Sequence, residues 1–184
     1  MSILDIRVLG DPVLRKETGV VEDVTDDIRQ LIADMFETMY AAEGIGLAAP
    51  QVGRTERITV MDVEGAKYAL INPEIVESQG SIRGEEGCLS IPDVFGEVER
   101  ASNVTVRALN EKGEEIEVMG AELLARCLQH EIDHLHGKLF LDYLSVLKRR
   151  SALGKWETLK GDYPGYIRKV RFEKKGPQHS EGEL

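Results

Sequence analysis

His130-Glu131-Ile132-Asp133-His134 is an H-E-x-x-H pentapeptide in the second half of this 184-residue chain. On an α-helix, side chains four positions apart lie on the same face, so both histidines can bind a single metal ion. Glu131 then lies beside the ion as a carboxylate that need not bind it. A catalytic tetrahedral site takes three protein ligands and leaves the fourth position to water. The pentapeptide supplies two ligands, and the third must come from elsewhere in the chain.

Spacing tests three candidates for the third ligand. A metzincin carries a further histidine, but Phe140 stands at that position here and cannot bind a metal ion. A thermolysin-like enzyme uses a downstream glutamate, and Glu157 is the candidate at a suitable distance. Because Glu157 lies among lysines, it is typical of a solvated surface carboxylate. Cys88 is the remaining candidate, and its thiolate is a strong ligand for zinc or ferrous iron.

Three segments of the chain resemble motifs of the bacterial peptide deformylase family. Residues 44–51 have the sequence G-I-G-L-A-A-P-Q, residues 86–90 have E-G-C-L-S, and residues 129–137 have Q-H-E-I-D-H-L-H-G. The motifs occur in the family's order, and the resemblance extends from about Gly10 to about Leu144. The H-E-x-x-H motif alone is moderately specific, whereas the three motifs together are highly specific.

Hydrophobic periodicity predicts two helices and a β-rich middle, in agreement with the fold that the resemblance implies. Thr25 caps the first helix, whose apolar residues share one face, and Gly44 follows its end. The second helix runs from about Ala121 to His136 and is apolar on two sides, which indicates burial. Strands are predicted over 57–63 and 67–71, and a hairpin over 104–109 and 116–119. We therefore expect an α+β fold, in which antiparallel β-sheets pack around a central buried helix that carries the metal-binding H-E-x-x-H motif.

The resemblance implies a metal-dependent hydrolase that removes the N-formyl group from nascent polypeptides beginning with formyl-methionine and releases formate. Its metal ligands would be Cys88, His130 and His134. The ion of the family is ferrous iron, Fe2+, which zinc, nickel or cobalt often replaces. Glu131 would act as general acid and base on a water molecule acidified by the metal. The backbone N–H of Leu89 and the side-chain amide of Gln51 would stabilise the developing oxyanion.

The resemblance also implies a set of substrate-binding residues. These are Gly44, Ile45, Gly46, Gly87, Leu123 and Cys127, of which Ile45, Leu123 and Cys127, together with His130, would line the pocket for the methionine side chain. The glycines would allow the substrate peptide to approach the backbone. Two residues depart from the family pattern and bear on the fine substrate preference. Arg126 stands where an apolar residue is common, and Phe95 stands where a basic residue is common.

The formal net charge of −10 is unevenly distributed along the chain. Residues 146–176 contain ten Lys or Arg and three Asp or Glu, whereas residues 1–145 contain thirteen basic and twenty-eight acidic side chains. The basic stretch is either a solvated helix and loop or a surface that docks onto ribosomal RNA or protein. The acidic main body argues against general nucleic-acid binding, DNA included. Residues 1–150 are predicted to be the catalytic domain, and residues 151–184 a basic C-terminal extension whose end, from Lys174, is disordered.

Several features predict the cytoplasm as the location. No apolar run approaches the roughly 18 residues that a membrane span needs. Asp5 and Arg7 interrupt the N-terminal segment, which is therefore not expected to be a secretory signal. Both cysteines, Cys88 and Cys127, are expected to stay reduced, because a disulfide between them would consume the thiolate that binds the metal ion.

Two other classes of protein are compatible with the H-E-x-x-H motif. A zinc endopeptidase would need an open cleft and a downstream glutamate ligand. A non-catalytic metal-binding module would need a fourth protein ligand, and the sequence places no spare histidine or cysteine suitably.

Overall fold

The computed structural model describes residues 1–172, which contain three α-helices and nine β-strands. The helices are α1 (Asp26–Ala41), α2 (Glu122–Leu135) and α3 (Val146–Leu159). The strands are β1 (Ile6–Arg7), β2 (Gly46–Ala48), β3 (Ile58–Val63), β4 (Ala66–Gln79), β5 (Ile82–Cys88), β6 (Ile91–Arg100), β7 (Asn103–Leu109), β8 (Glu115–Ala121) and β9 (Ile167–Arg168).

The largest sheet has five strands in the order β2-β3-β4-β7-β8, and every neighbouring pair is antiparallel. Helix α2 packs on this sheet through Ala125, Leu128 and Ile132, which share a hydrophobic core with residues of β3, β4, β7 and β8. The hairpin of β5 and β6 forms a separate two-stranded sheet, and β1 pairs with β9 in another. The predicted α+β fold with antiparallel sheets around a central buried helix is therefore confirmed.

Helix α1 and the β7–β8 hairpin form where the sequence predicts them. The Thr25 hydroxyl accepts a hydrogen bond from the backbone N–H of Ile28 at 3.4 Å and so caps α1. The apolar face of α1 packs against β2 and β3, which fixes the short strand β2 at the edge of the large sheet. Gly113, at a positive φ of 78°, closes the turn between β7 and β8.

The sequence prediction missed β5 and β6, and it ended β4 too early. Residues 82–88 contain three charged side chains and two glycines, so they lack the alternation of apolar and polar side chains that marks a strand. In β6, Pro92 and Asp93, the latter at a positive φ of 61°, interrupt the pattern. The first turn of α2 also differs from the expectation of full burial, because Leu123 is 43% exposed.

Helix α3 packs on β6 through Ala152 and Trp156, which join a third hydrophobic core with Phe140 and Leu144. The domain boundary predicted after residue 150 falls inside this helix and stays a prediction. The predicted disordered end lies outside the described residues. Within residues 1–172, no helix combines the length and the apolar character needed to cross a membrane.

Candidate metal centre

Helix α2 and the end of strand β5 bring three potential metal ligands together. The Sγ atom of Cys88 lies 3.4 Å from Nε2 of His134, which lies 3.3 Å from Nε2 of His130. The three ligand atoms all lie within 4.8 Å of one another. His134 is buried, and Cys88 is partly buried. The structure thus brings together the three residues that the sequence predicts as ligands.

The geometry of this group fits a divalent ion. Bonds of about 2.0–2.3 Å to nitrogen and sulfur in a tetrahedron separate the ligand atoms by about 3.3–3.6 Å, which matches the two shortest separations here. Burial lowers the pKa of His134 well below its usual value, so its ring is neutral, the form that binds metal ions. Within residues 1–172, the group contains no fourth protein ligand, which leaves a coordination position open.

The turn between β5 and β6 holds the Cys88 sulfur in position. The register of the hairpin shifts between Gly87 and Cys88, which places Cys88 at its tip. The side-chain amide of Gln51 donates to Sγ of Cys88 at 3.5 Å and to the hydroxyl of Ser90 at 3.2 Å. Gln51 lies in a short 3-10 helix (Ala49–Val52) and is only 1% exposed. It is therefore a buried member of the site.

Glu86 orients His130 by contacting the ring nitrogen that faces away from the other two potential ligands. Its Oε1 atom lies 2.8 Å from Nδ1 of His130, which directs the other ring nitrogen, Nε2, towards Cys88 and His134. Arg100 donates two hydrogen bonds to the Glu86 carboxylate, each of 2.9 Å, and a third of 2.6 Å to Asp133. Burial works against the charged form of Glu86, but the hydrogen bonds from Arg100 and His130 outweigh it. They hold the pKa of this carboxyl far below its usual value.

Arg126 has a role that the sequence did not reveal. Its guanidinium donates to Glu86 at 2.7 Å and to the backbone carbonyls of Ile82 and Val98, each at 3.0 Å. The charged group therefore links α2 to both strands of the β5–β6 hairpin. Arg126 also lines the cavity of the site, so an influence on the fine substrate preference stays a prediction.

The carboxylate of Glu131 lies against the glycine-rich segment. A β-carbon added at Gly46 would lie 2.5 Å from Oε1 of Glu131, so only glycine leaves room for the carboxylate. Glu131 is 4% exposed, and its Oε2 atom has no hydrogen-bond partner among the described residues. Burial raises the pKa of Glu131 to about 7, so near neutral pH this carboxyl can both accept and donate a proton.

A cavity of about 500 Å³ opens beside the three potential ligands. Its lining includes every other site residue predicted from the sequence, which are Gly44, Ile45, Gly46, Gln51, Gly87, Leu89, Leu123, Cys127 and Glu131. Ile45 and Leu123 are 45% and 43% exposed. Both cysteines are free thiols, and burial raises the pKa of Cys127 well above its usual value. Cys127 is therefore a protonated wall residue and not a thiolate ligand.

Two further wall residues were not found from the sequence. Tyr163 and Arg168 line the same cavity, although they lie far beyond the recognisable motifs. Phe95, another lining residue, is 56% exposed, and its ring covers the site of a β-carbon at Gly87.

Glu157, the alternative third ligand, forms an exposed ion pair with Lys160 instead. Two histidines and a cysteine around an open position, with a buried glutamate beside them, define a metal-dependent hydrolase.

Comparison with known proteins identifies the family. The family model for polypeptide deformylase matches residues 3–150. A peptide deformylase of Alkalilimnicola ehrlichii is 54% identical over 163 residues, which cover 86% of this chain and 92% of that protein. The chain belongs to the polypeptide deformylase family, whose enzymes remove the N-formyl group from nascent chains.

Solved structures agree with this assignment. The crystal structure of a peptide deformylase from Legionella pneumophila superposes with a TM-score of 0.84 at 48% identity, covering 87% of this chain and 96% of that one. The structure of the Ehrlichia chaffeensis enzyme in complex with actinonin gives a TM-score of 0.84 at 44% identity, covering 89% of this chain and 99% of that one.

The close approach of Gly46 to Glu131 generates a test. In Gly46→Ala, the new methyl group would displace the Glu131 carboxylate, and we expect kcat on formyl-Met-Ala-Ser to fall at least about tenfold. Metal content should stay unchanged, because no ligand is altered. The matched control is Gly154→Ala in α3, where an added β-carbon meets no atom within 4 Å. An unchanged kcat in Gly46→Ala would show that the Glu131 carboxylate need not occupy its present position.

Proposed function

We propose that Cys88, His130 and His134 bind one ferrous ion and that the surrounding residues use it to hydrolyse the formyl amide. The observation that supports this most directly is the convergence of Sγ and two Nε2 atoms beside the buried Glu131 carboxylate. The donor set of one thiolate and two imidazoles accepts iron, zinc, nickel or cobalt. The choice of iron rests on the family resemblance. When bound, such an ion polarises a carbonyl group and acidifies water at neutral pH.

Glu131 is proposed to carry the proton during hydrolysis. It takes a proton from the water molecule that attacks the formyl carbon, and it gives that proton to the amine as the C–N bond breaks. The products are formate and a free N-terminal methionine. The raised pKa of Glu131, its burial and its unpartnered Oε2 atom support both halves of this transfer.

Two donors are proposed to stabilise the negative charge that develops on the formyl oxygen. These are the backbone N–H of Leu89 and the side-chain amide of Gln51, both of which border the cavity beside Cys88. Because Gln51 is buried and its Oε1 atom accepts a hydrogen bond of 2.9 Å from Ala48, its amide is fixed before the substrate arrives. Fixed donors of this kind need no reorganisation in the transition state.

The substrate is proposed to bind with its methionine side chain against Ile45, Leu123, Cys127 and His130. Cys127 and the exposed flank of Leu123 make this part of the cavity apolar and polarizable, which suits a thioether. The peptide backbone would follow Gly44, Gly46 and Gly87. Strand β2 is an edge strand of the large sheet, and edge strands present backbone groups with which an extended peptide can pair.

We also propose that the enzyme works in the cytoplasm and docks on the ribosome through the exposed basic residues of α3. Lys148, Arg150 and Lys155 are exposed on this helix, and they support docking on a negatively charged surface. Val146 and Leu147, at the start of α3, are 82% and 78% exposed and add an apolar element to the same helix.

The proposed ligand set predicts how metal content responds to substitution. We expect protein purified without oxygen to hold about one iron ion per chain, and Cys88→Ala to lose it together with the activity. Cys127→Ala is the matched cysteine control and should keep the ion, because its thiol is protonated. Emission spectroscopy of the purified variants measures the metal.

Two results of this metal measurement would contradict the proposal. If Cys88→Ala retains the ion and Glu157→Ala loses it, the third ligand is Glu157 and not Cys88. Zinc in place of iron in the oxygen-free wild-type protein would contradict the proposed ion and leave the ligand set intact.

A substitution of Glu131 tests the catalytic step separately from metal binding. Glu131→Ala removes the proton carrier but no ligand, so we expect full metal content and a kcat at least about 100-fold lower. Formate release from formyl-Met-Ala-Ser measures the turnover. Acetyl-Met-Ala-Ser and an internal peptide should not be cleaved by the wild-type enzyme. Near-normal turnover in Glu131→Ala would refute the mechanism, and cleavage of the internal peptide would indicate an endopeptidase.

Ribosome docking predicts a loss of co-sedimentation when the charge on α3 is reversed. We expect the triple variant Lys148→Glu, Arg150→Glu, Lys155→Glu to pellet with ribosomes at least about fivefold less than the wild-type enzyme. Binding of the wild-type enzyme should also weaken as salt is added, because exposed charges are screened.

The control reverses the same number and kind of charges elsewhere. Lys16, Arg107 and Lys112 are exposed and lie outside α3, so a triple change of these residues to glutamate should leave co-sedimentation unchanged. Equal loss in both triple variants would show that overall charge, and not the position of the basic residues on α3, controls the association.

A further inference from the structure

The C-terminal segment returns to the active site beyond the region that the family model matches. The matched region ends at residue 150, whereas β9 pairs with β1 through Ile6 opposite Arg168 and Arg7 opposite Ile167. This pairing brings Arg168 to the wall of the cavity that contains Glu131. The segment before β9 is anchored as well, because the ring of Tyr163 stacks on buried Trp156 with centroids 5.7 Å apart.

Arg168 contacts the turn that carries the cysteine. Its Nη1 atom donates a partly buried hydrogen bond of 3.0 Å to the backbone carbonyl of Leu89. Among residues 1–172, no carboxylate forms an ion pair with Arg168, whereas the neighbouring Lys169 is paired with Asp5 at 2.6 Å. The principal polar contact of Arg168 is therefore with the backbone of the active-site turn.

Three elements hold this turn by separate hydrogen bonds. The backbone N–H of Leu9 donates to the carbonyl of Ser90 at 2.9 Å, and Gln51 donates to the Ser90 hydroxyl at 3.2 Å. The bond from Arg168 holds Leu89, the residue between the cysteine and Ser90. Among the described residues, Arg168 supplies the one side-chain donor to the Leu89 carbonyl.

We propose that Arg168 is a positioning residue for deformylation. By holding the Leu89 carbonyl, it fixes the backbone angles of Leu89 and so aims the Leu89 N–H at the formyl oxygen. This inference rests on the proposed role of the Leu89 N–H. The residue acts through the turn and makes no bond to the substrate, so its contribution belongs to the transition state, in which charge develops on that oxygen.

The test is the division of the effect between kcat and KM. Arg168→Met keeps the length of the side chain and removes its donors. Removing an oxyanion donor costs about 100-fold or more in kcat, and misdirecting one should cost less, about tenfold. We expect this fall in kcat with KM within about twofold of the wild-type value and with unchanged metal content and melting temperature. Arg168→Lys, which restores a donor, should recover most of the lost kcat.

The matched control is Lys169→Met, which removes one positive charge from the adjacent residue and should leave kcat unchanged. A rise in KM at constant kcat would overturn the proposal, because it would mean that Arg168 binds the substrate directly. Loss of metal or of thermal stability in both Arg168 variants would also overturn it in favour of a purely structural role. Failure of the proposed function is a separate result, because wild-type enzyme would then release no formate from formyl-Met-Ala-Ser.

Discussion

The buried carboxylate of Glu86 is the interaction on which the site depends. It accepts hydrogen bonds from Arg100 of β6 and from Arg126 of α2, and it lies within hydrogen-bond distance of His130. The hairpin that carries Cys88 and the helix that carries both histidines are thereby joined through one pair of oxygen atoms. Removing one partner of a buried charge pair typically costs about 3–5 kcal/mol, because the other charge is left uncompensated. Folding and ligand orientation are therefore coupled at this residue.

The parts of the site that follow local rules could be predicted from the sequence. The spacing of His130 and His134 fixes their common face on any helix, and the periodicity of α1 and α2 depends only on neighbouring residues. Arg100 and Arg168 could not be predicted in this way. Each reaches the site through a partner that is distant in the chain, Glu86 for the first and Leu89 for the second. Such contacts leave no periodic pattern in a single sequence.

The glycine-rich segment illustrates a different limit of sequence reasoning. The sequence predicts that its glycines leave space for the substrate backbone, and this role stays a prediction. The structure adds a second requirement, because a β-carbon at Gly44 would lie 2.6 Å from the Leu89 side chain and one at Gly46 would overlap Glu131. A glycine can therefore be required by a side chain from another element, and the sequence alone does not reveal which atom imposes the requirement.

The pairing of β1 with β9 has a consequence for the synthesis of the enzyme itself. The ion pair of Lys169 with Asp5 joins residues 164 positions apart, so the two ends of the described chain lie side by side. The wall at Arg168 can form only after the residues up to Arg168 have left the ribosome. Closing so long a loop costs only slightly more entropy than closing a medium one, but contacts between distant residues slow folding. The three potential metal ligands lie in the part made earlier, and the cavity wall at Arg168 is added later.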